Sequence, residues 1–421
     1  MNILVADRFE QEGLDALHAL GLGVTYQPDL KDADLAEALS ITRADILVVR
    51  STKVTDAILD AGRLSLVVRA GAGYDTIDVK SASRRGIYVS NCPGKNAVAV
   101  AELTLGLILA LDRRIPDNVA ELRAGRWNKK EFSRAPGLLG RTLGILGFGR
   151  IGQEVARRAQ AFGMHLAIWS ELGVQLGRDG LPADLPQVVR LRPTSADVVE
   201  STVTVYESPK AVAANCDVLT VHLALNEKTR GLVGAAVFDR LKPGACFVNT
   251  ARAEIVDYKA LEAAVREKGL RVALDVHGKE PAVPTGDFVD PLIGLPGVYG
   301  THHIGASTEQ AQQAIADETV RIVETYVKTG RVPNVVNLSR KTPATHVLVT
   351  RHQDRPGVLA HVFECLREAG INVEETENII FADAEAAVAR ISIIGEPPAG
   401  VVAAIKNGNP HVMDVHVVAV T

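Results

Sequence analysis

Short apolar runs alternate with helix-period stretches along most of the chain. Ile3 to Ala6, Ala44 to Val49 and Leu64 to Ala70 are runs of branched apolar residues with little polar alternation. Strands covered on both faces have this character. Between them, Leu14 to Leu20 and Asp34 to Leu39 carry apolar residues at helical spacing. Val98 to Leu111 is a longer apolar run interrupted by Glu102. It reads as a buried helix, too short to span a bilayer. The rhythm then restarts. Thr142 to Leu146 reads as a strand, Arg150 to Phe162 as a helix ended by Gly163, and His165 to Trp169 as the next strand. Further strands are expected over Asp217 to Leu223, Ala245 to Asn249 and Arg271 to Val276. The fold class predicted is α/β, with two doubly wound, Rossmann-like units.

Ser307 is expected to open a long helix, with Gln310 three residues on as its capping-box partner, running towards Gly330. Residues 338–345 are polar, contain Pro343 and read as a linker. The tail, 346–421, changes pattern to strand, helix, strand, strand, helix, strand. Its first helix has Pro356 near the start, Val358, Leu359, Val362, Phe363 and Leu366 on one face, and Gly370 after the end. This predicts a small ferredoxin-like α+β domain. The stretch Glu171 to Ser201 is rich in Pro, Asp and Arg, shows no periodicity and receives no role.

A chain of 421 residues exceeds one core. A net charge of -4 gives no reason to expect nucleic acid or an anionic membrane as partner. Cys92, Cys216, Cys246 and Cys365 lie far apart with no C-x-x-C pair, so neither a metal site nor a disulfide framework is expected. That usage fits a cytoplasmic location. The opening MNILVADRFEQEG reads as a strand followed by charge, not as a signal peptide.

Gly147-Phe148-Gly149-Arg150-Ile151-Gly152 follows a predicted strand and opens a predicted helix. Glycines at Gly147, Gly149 and Gly152 permit a tight turn and close approach of a pyrophosphate, while Arg150 and Ile151 begin the helix whose free N–H groups favour an anion. The next strand ends Trp169-Ser170-Glu171. Ser170 takes the place of the acid that holds an adenosine ribose, and Glu171 follows one residue late. A carboxylate there repels a 2′-phosphate, so NAD is expected. The serine and nearby Arg178 leave NADP open. Thr301-His302-His303-Ile304 offers two candidate proton carriers, since histidine titrates near neutrality.

The Gly147–Gly152 loop is followed by Asn249-Thr250-Ala251-Arg252-Ala253-Glu254, Asp275-Val276-His277-Gly278-Lys279-Glu280-Pro281 and His303-Ile304-Gly305-Ala306-Ser307-Thr308. This order resembles the D-2-hydroxyacid dehydrogenase family, most closely its phosphoglycerate dehydrogenase branch with a C-terminal ACT domain. The resemblance implies a catalytic set of Arg252, Glu280 and His303, with His302 standing where the family has proline. It implies cofactor contacts at His222, Thr250 and Asp275. Ala253 replaces a common glycine, His277 replaces the usual phenylalanine, and Ser170 replaces the usual aspartate.

Such a set suits reduction of a 2-keto acid, in which the carbonyl carbon takes a hydride and its oxygen a proton. Arg252 would grip the carboxylate, His303 would carry the proton, and Glu280 would favour the imidazolium. The loops Val49-Arg50-Ser51-Thr52-Lys53 and Arg69-Ala70-Gly71-Ala72-Gly73-Tyr74-Asp75 resemble the branch's substrate loops. Arg50, Ser51, Lys53, Arg69, Gly71 and Asn96 are therefore expected at the substrate. The segments 1–95 and 305–337 would form the substrate domain and 96–304 the NAD-binding domain. Trp127-Asn128-Lys129-Lys130 would lie near a subunit contact of a homodimer or homotetramer. In the tail, His352, Asp354 and Asn372 would bind L-serine as effector. The implied reaction is NAD-dependent oxidation of 3-phospho-D-glycerate to 3-phosphooxypyruvate, the first step of L-serine biosynthesis. The alternatives are a hydroxypyruvate, glyoxylate or 2-oxoglutarate reductase and, in another class, an NAD(H)-sensing regulatory binding protein.

Overall fold

The apolar runs of the first part become β1 (Asn2–Val5), β3 (Ile46–Val49) and β4 (Leu66–Arg69), joined by two short strands absent from the sequence reading, β2 (Gly23–Tyr26) and β5 (Tyr88–Asn91). They form a parallel sheet in the order β2-β1-β3-β4-β5. Every residue of β3 is buried, as expected of a central parallel strand, whereas β2 is an edge strand with none buried. These features come from a computed structural model that describes residues 1–170, 188–191, 199–281, 285–339 and 342–420. The chain divides into two units, Met1–Asn337 and Leu338–Thr421.

The first unit holds a second sheet of β6 (Thr142–Leu146), β7 (His165–Trp169), β8 (Val188–Leu191), β9 (Val199–Val205), β10 (Val218–Val221), β11 (Cys246–Asn249), β12 (Arg271–Leu274) and β13 (Val298–Gly300). Its order is β13-β12-β11-β10-β6-β7-β9-β8. All pairings are parallel except β8 with β9. The stretch read as aperiodic thus contributes an antiparallel edge pair, where one-sided pairing leaves little pattern in the sequence. Apart from the inverted β9–β8 edge pair, chain order runs outward in both directions from β6, so the switch point lies between β6 and β10, beside the glycine loop.

The helix Ala97–Arg113 packs Ala101, Leu105, Ile108 and Leu111 against Leu143, Ile145 and Val155 of this lobe. The helix Glu309–Thr329 returns to the first sheet, where Ile315, Ile322 and Val323 join Ile3, Val5, Ile46 and Val68. It starts later than expected. Thr308, not Ser307, is the cap and accepts the Ala311 N–H at 3.2 Å, while the Ser307 N–H is held by the Ile304 carbonyl at 2.8 Å.

The second unit has β14 (His346–Gln353), β15 (Val373–Ile380), β16 (Ala386–Ile393) and β17 (Val412–Ala419) in the antiparallel order β15-β16-β14-β17. Helices Val358–Glu368 and Ala399–Asn407 bury Val358, Val362, Leu366 and Ile405 against Leu348, Ile391 and Ile393. This is the ferredoxin-like arrangement. Phe363 departs from expectation: it turns outward, because its position falls beside the buried stripe of Val358, Val362 and Leu366. Among the described residues, no helix is long and apolar enough to cross a membrane.

Candidate active site

Loops leaving the carboxyl ends of β6, β11, β12 and β13 carry the glycine motif, Arg252, Glu280 and His303. In the β6 loop, Gly147 has φ +98°, and a Cβ there would lie 2.5 Å from the His222 carbonyl oxygen. A Cβ on Gly152 would strike the Gly147 carbonyl, whereas nothing lies within 4 Å of one on Gly149. The outer glycines close the strand against the helix, and Gly149 leaves room for a phosphate. The helix Arg150–Ala161 begins there without a side-chain cap, so its first N–H groups are available to an anion. The loop therefore fits a dinucleotide pyrophosphate.

The other expected cofactor contacts fall out differently. Arg150 Nη1 donates to the Pro93 carbonyl at 3.1 Å, and Ile151 packs on the apolar cluster behind the loop. Ser170 follows β7 half-buried; Glu171 and Arg178 lie outside the described residues. His222 is half-buried, with Nε2 3.0 Å from Thr220 Oγ1 and Nδ1 buried without a partner among the described residues, and desolvation pushes its pKa down to about 3, so it stays neutral. Its carbonyl, not its ring, borders Gly147. Thr250 Oγ1 faces Thr104 Oγ1 at 3.1 Å. Asp275 is buried and shapes the next loop. Its Oδ1 accepts the Thr301 hydroxyl at 2.6 Å and the Ile304 N–H at 2.9 Å, and its Oδ2 accepts the Gly305 N–H at 2.9 Å.

That loop presents His303, whose φ of +54° is uncommon for a residue with a Cβ. His303 Nδ1 lies 2.7 Å from Glu280 Oε2, and Glu280 Oε1 accepts the His277 N–H at 2.9 Å. Burial pushes the Glu280 carboxyl up, but the hydrogen bonds from His303 and the His277 amide outweigh it and hold the group below its ordinary value. His302 is exposed beside this pair. Of the two histidines, His303 is the one that meets Glu280.

Arg252 follows β11. Its Nη2 donates to Asp75 Oδ1 at 3.0 Å, its Nε to Asp75 Oδ2 at 3.1 Å, and its Nη1 to the Ala251 carbonyl at 2.8 Å. Asn249 sets the turn, accepting the Ala251 N–H at 3.0 Å and donating to the Arg252 carbonyl at 2.9 Å. The guanidiniums of Arg69 and Arg252 fill the space that side chains on Gly71 and Gly73 would need, and Gly71 has φ +149°. Burial, and then the neighbouring Arg252 and Arg50 charges, push Arg69 down to about 10. Arg69 Nε and Asn96 Oδ1 are buried with no hydrogen-bond partner among the described residues.

Asp7 builds the Arg50 loop: its Oδ2 accepts the N–H groups of Arg50, Ser51 and Thr52 at 2.6, 3.1 and 3.0 Å, and its Oδ1 accepts the Ser51 hydroxyl at 3.3 Å. Lys53 is exposed. The sequence reading missed Asp7, Asp75 and Asn249 as organisers. The clue for Asp75 was an acid at the end of a glycine-rich, arginine-headed loop. In the tail, His352 is buried with Nε2 3.2 Å from Asn378 Oδ1, Asn372 donates to Glu374 at 2.8 Å, and the Asp354 N–H is held by the Glu385 carbonyl at 3.0 Å.

Residues 105–305 match the D-isomer specific 2-hydroxyacid dehydrogenase, NAD binding domain. Over 283 residues the chain is 40% identical to the hydroxypyruvate reductase of Thermotoga maritima, a match covering 66% of this chain and 84% of that one. The chain belongs to the D-isomer-specific 2-hydroxyacid dehydrogenase family. It is also 38% identical over 342 residues to the D-3-phosphoglycerate dehydrogenase of Methanocaldococcus jannaschii, covering 80% of this chain but only 60% of that longer relative. The crystal structure of the TT0316 protein from Thermus thermophilus superposes with a TM-score of 0.66 at 30% identity, over 80% of this chain and 100% of that one. The family's NAD-binding domain therefore coincides with the lobe whose glycine loop fits a pyrophosphate.

Proposed function

We propose that this chain is an NAD-dependent dehydrogenase that oxidises 3-phospho-D-glycerate to 3-phosphooxypyruvate, the first step of L-serine biosynthesis. The observation that carries the reading is geometric: the Arg69 and Arg252 guanidiniums fill the space beside Gly71 and Gly73 of one loop, and Arg69, depressed first by burial, also feels the charges of Arg252 and Arg50. Three cations suit a substrate with two anionic groups, a carboxylate and a phosphate. NAD, when bound, supplies the hydride acceptor. His303 takes the hydroxyl proton during oxidation and returns it during reduction. Glu280, 2.7 Å away, fixes the ring and stabilises the imidazolium. Arg252, held by Asp75, aligns the substrate carboxylate and polarises the adjoining C–O bond.

A second reading, hydroxypyruvate reductase, is supported by the 40% identity to the Thermotoga maritima protein. The two differ in the phosphate. Arg50→Gln should raise KM for phosphoglycerate about tenfold more than for glycerate, the range expected of one charge-assisted contact. Equal effects on both substrates would favour the unphosphorylated acid. We read the tail as an ACT-like module taking L-serine, and the chain as a homo-oligomer whose exposed Trp127 and Leu122 lie at a subunit contact. Calorimetry with L-serine and sedimentation of the full chain test both; no serine heat and a monomer would reject them.

A further inference from the structure

His277 occupies a position where the family resemblance leads one to expect phenylalanine. It is buried just beyond the end of β12, with Nε2 hydrogen-bonded and Nδ1 without a hydrogen-bond partner among the described residues. Ring Nε2 lies 3.0 Å from the carbonyl oxygen of Thr301, the residue after β13. Ring Nδ1 lies 3.5 Å from Asp290 Oδ2, and Asp290 Oδ1 is itself fixed by the Leu292 N–H at 2.9 Å. Phe288 meets the ring edge-on, with centroids 4.9 Å apart. The His277 backbone N–H holds Glu280 Oε1.

A carbonyl only accepts, so Nε2 must carry the proton in the contact with Thr301. Phenylalanine would fill a similar volume and keep the contact with Phe288, but it could donate to nothing. Burying an imidazole here costs more than burying phenylalanine, and the Nε2 contact is what offsets that cost, since Nδ1 makes no hydrogen bond among the described residues. The charged groups around the ring are Asp290 and Glu280, with Asp275 two residues earlier and the Tyr258 hydroxyl on the Val276 carbonyl.

We propose that His277 is a positioning residue that ties the loop carrying Glu280 to the loop carrying His303. One end of the tie is its backbone N–H on Glu280. The other is its ring on Thr301, whose hydroxyl engages Asp275, which in turn holds the amides of Ile304 and Gly305. His303 sits between Thr301 and Ile304, so both partners of the 2.7 Å contact are referenced to one residue. The functional part of this inference rests on the dehydrogenase reading above.

The test compares His277→Phe with His277→Gln, whose amide can still donate to the Thr301 carbonyl. His277→Phe should lower kcat about tenfold, a modest share of what a 1 Å misplacement can cost, with KM and NADH affinity within about twofold. His277→Gln should return to within about threefold of wild-type kcat. Crystal structures of both variants should show the Glu280–His303 contact kept with Gln and opened with Phe. His277→Asn, too short to reach Thr301, replaces the phenylalanine variant if that one fails to fold. Equal kcat in all variants, or an intact contact in the phenylalanine variant, would overturn the proposal. If the wild-type chain turns over no 2-hydroxy or 2-keto acid, the dehydrogenase reading fails, and the crystal comparison alone still decides the positioning role.

Discussion

Replacing Glu280 by glutamine removes one negative charge while keeping the shape of the side chain. The carboxylate oxygen lies 2.7 Å from His303 Nδ1, and the two side chains are 34% and 47% exposed. Opposite unit charges about 4 Å apart attract by about 1 kcal/mol in water and about 4 kcal/mol at an effective dielectric of about 20. A pair this open to solvent belongs between those limits, so about 2 kcal/mol of imidazolium stabilisation is lost. That corresponds to about a thirtyfold fall in kcat for hydroxy-acid oxidation. KM should change by less than about threefold, because the arginines proposed to grip the substrate anions are untouched. Initial rates at saturating NAD, repeated with substrate deuterated at C2, separate the chemical step from product release. A variant with wild-type kcat, or a loss carried wholly by KM, would refute the assignment of Glu280 as the partner of the proton carrier.

Three further outcomes follow from the same geometry. His303→Gln should lose at least about a hundredfold in kcat while NADH binding, read by fluorescence, is kept, and exposed His302→Ala should stay within about twofold; the reverse pattern would move the active histidine by one residue. Gly149→Val should fold with an unchanged Tm, since nothing lies within 4 Å of a Cβ there, yet lose NADH binding more than about tenfold, whereas Gly152→Ala should lower Tm because its Cβ strikes backbone. Glu318 is held down to about 2 from an ordinary 4.5, first by Arg321 and further by Asn334 and Lys95, against burial. Because its folded pKa is depressed, its stabilisation is full above about 4.5 and is lost as pH falls towards about 2. The Tm gap between wild type and Glu318→Gln should therefore shrink over that range; a gap independent of pH would show that Glu318 acts through packing alone.

Legibility in the sequence followed how local each signal is. The glycine loop was legible because strand, turn and helix are contiguous, and the tail because its elements succeed one another with clear periodicity. Arg252, Glu280 and His303 came from motif order, and the structure brings Glu280 and His303 together as that order implied. What stayed hidden were partners far apart in the chain. Asp75 meets Arg252 across 177 residues and Asp7 meets Arg50 across 43, and no periodicity encodes such pairs. Asp275 and His222 were expected at the cofactor; what the sequence did not show is that Asp275 also holds the His303 loop and that the half-buried His222 ring lies against Thr220. Buried polar residues near a site mark the scaffold as often as the ligand, and only the three-dimensional arrangement separates the two. Strands β2 and β5 are no shorter than β1, β3 and β4, but Thr25 in β2 and Ser90 and Asn91 in β5 break the apolar run by which the other three were read.

The most direct test of the account is the initial rate of NAD reduction by the full chain with 3-phospho-D-glycerate, set beside glycerate, lactate and 2-hydroxyglutarate, with NADP as the parallel cofactor. The account predicts NADH formation with the D-phosphoglycerate at a kcat/KM at least about tenfold above every other acid, and a lower rate with NADP. Turnover confined to an unphosphorylated acid would contradict the role given to the arginine group, and no hydride transfer with any of them would contradict the dehydrogenase reading itself.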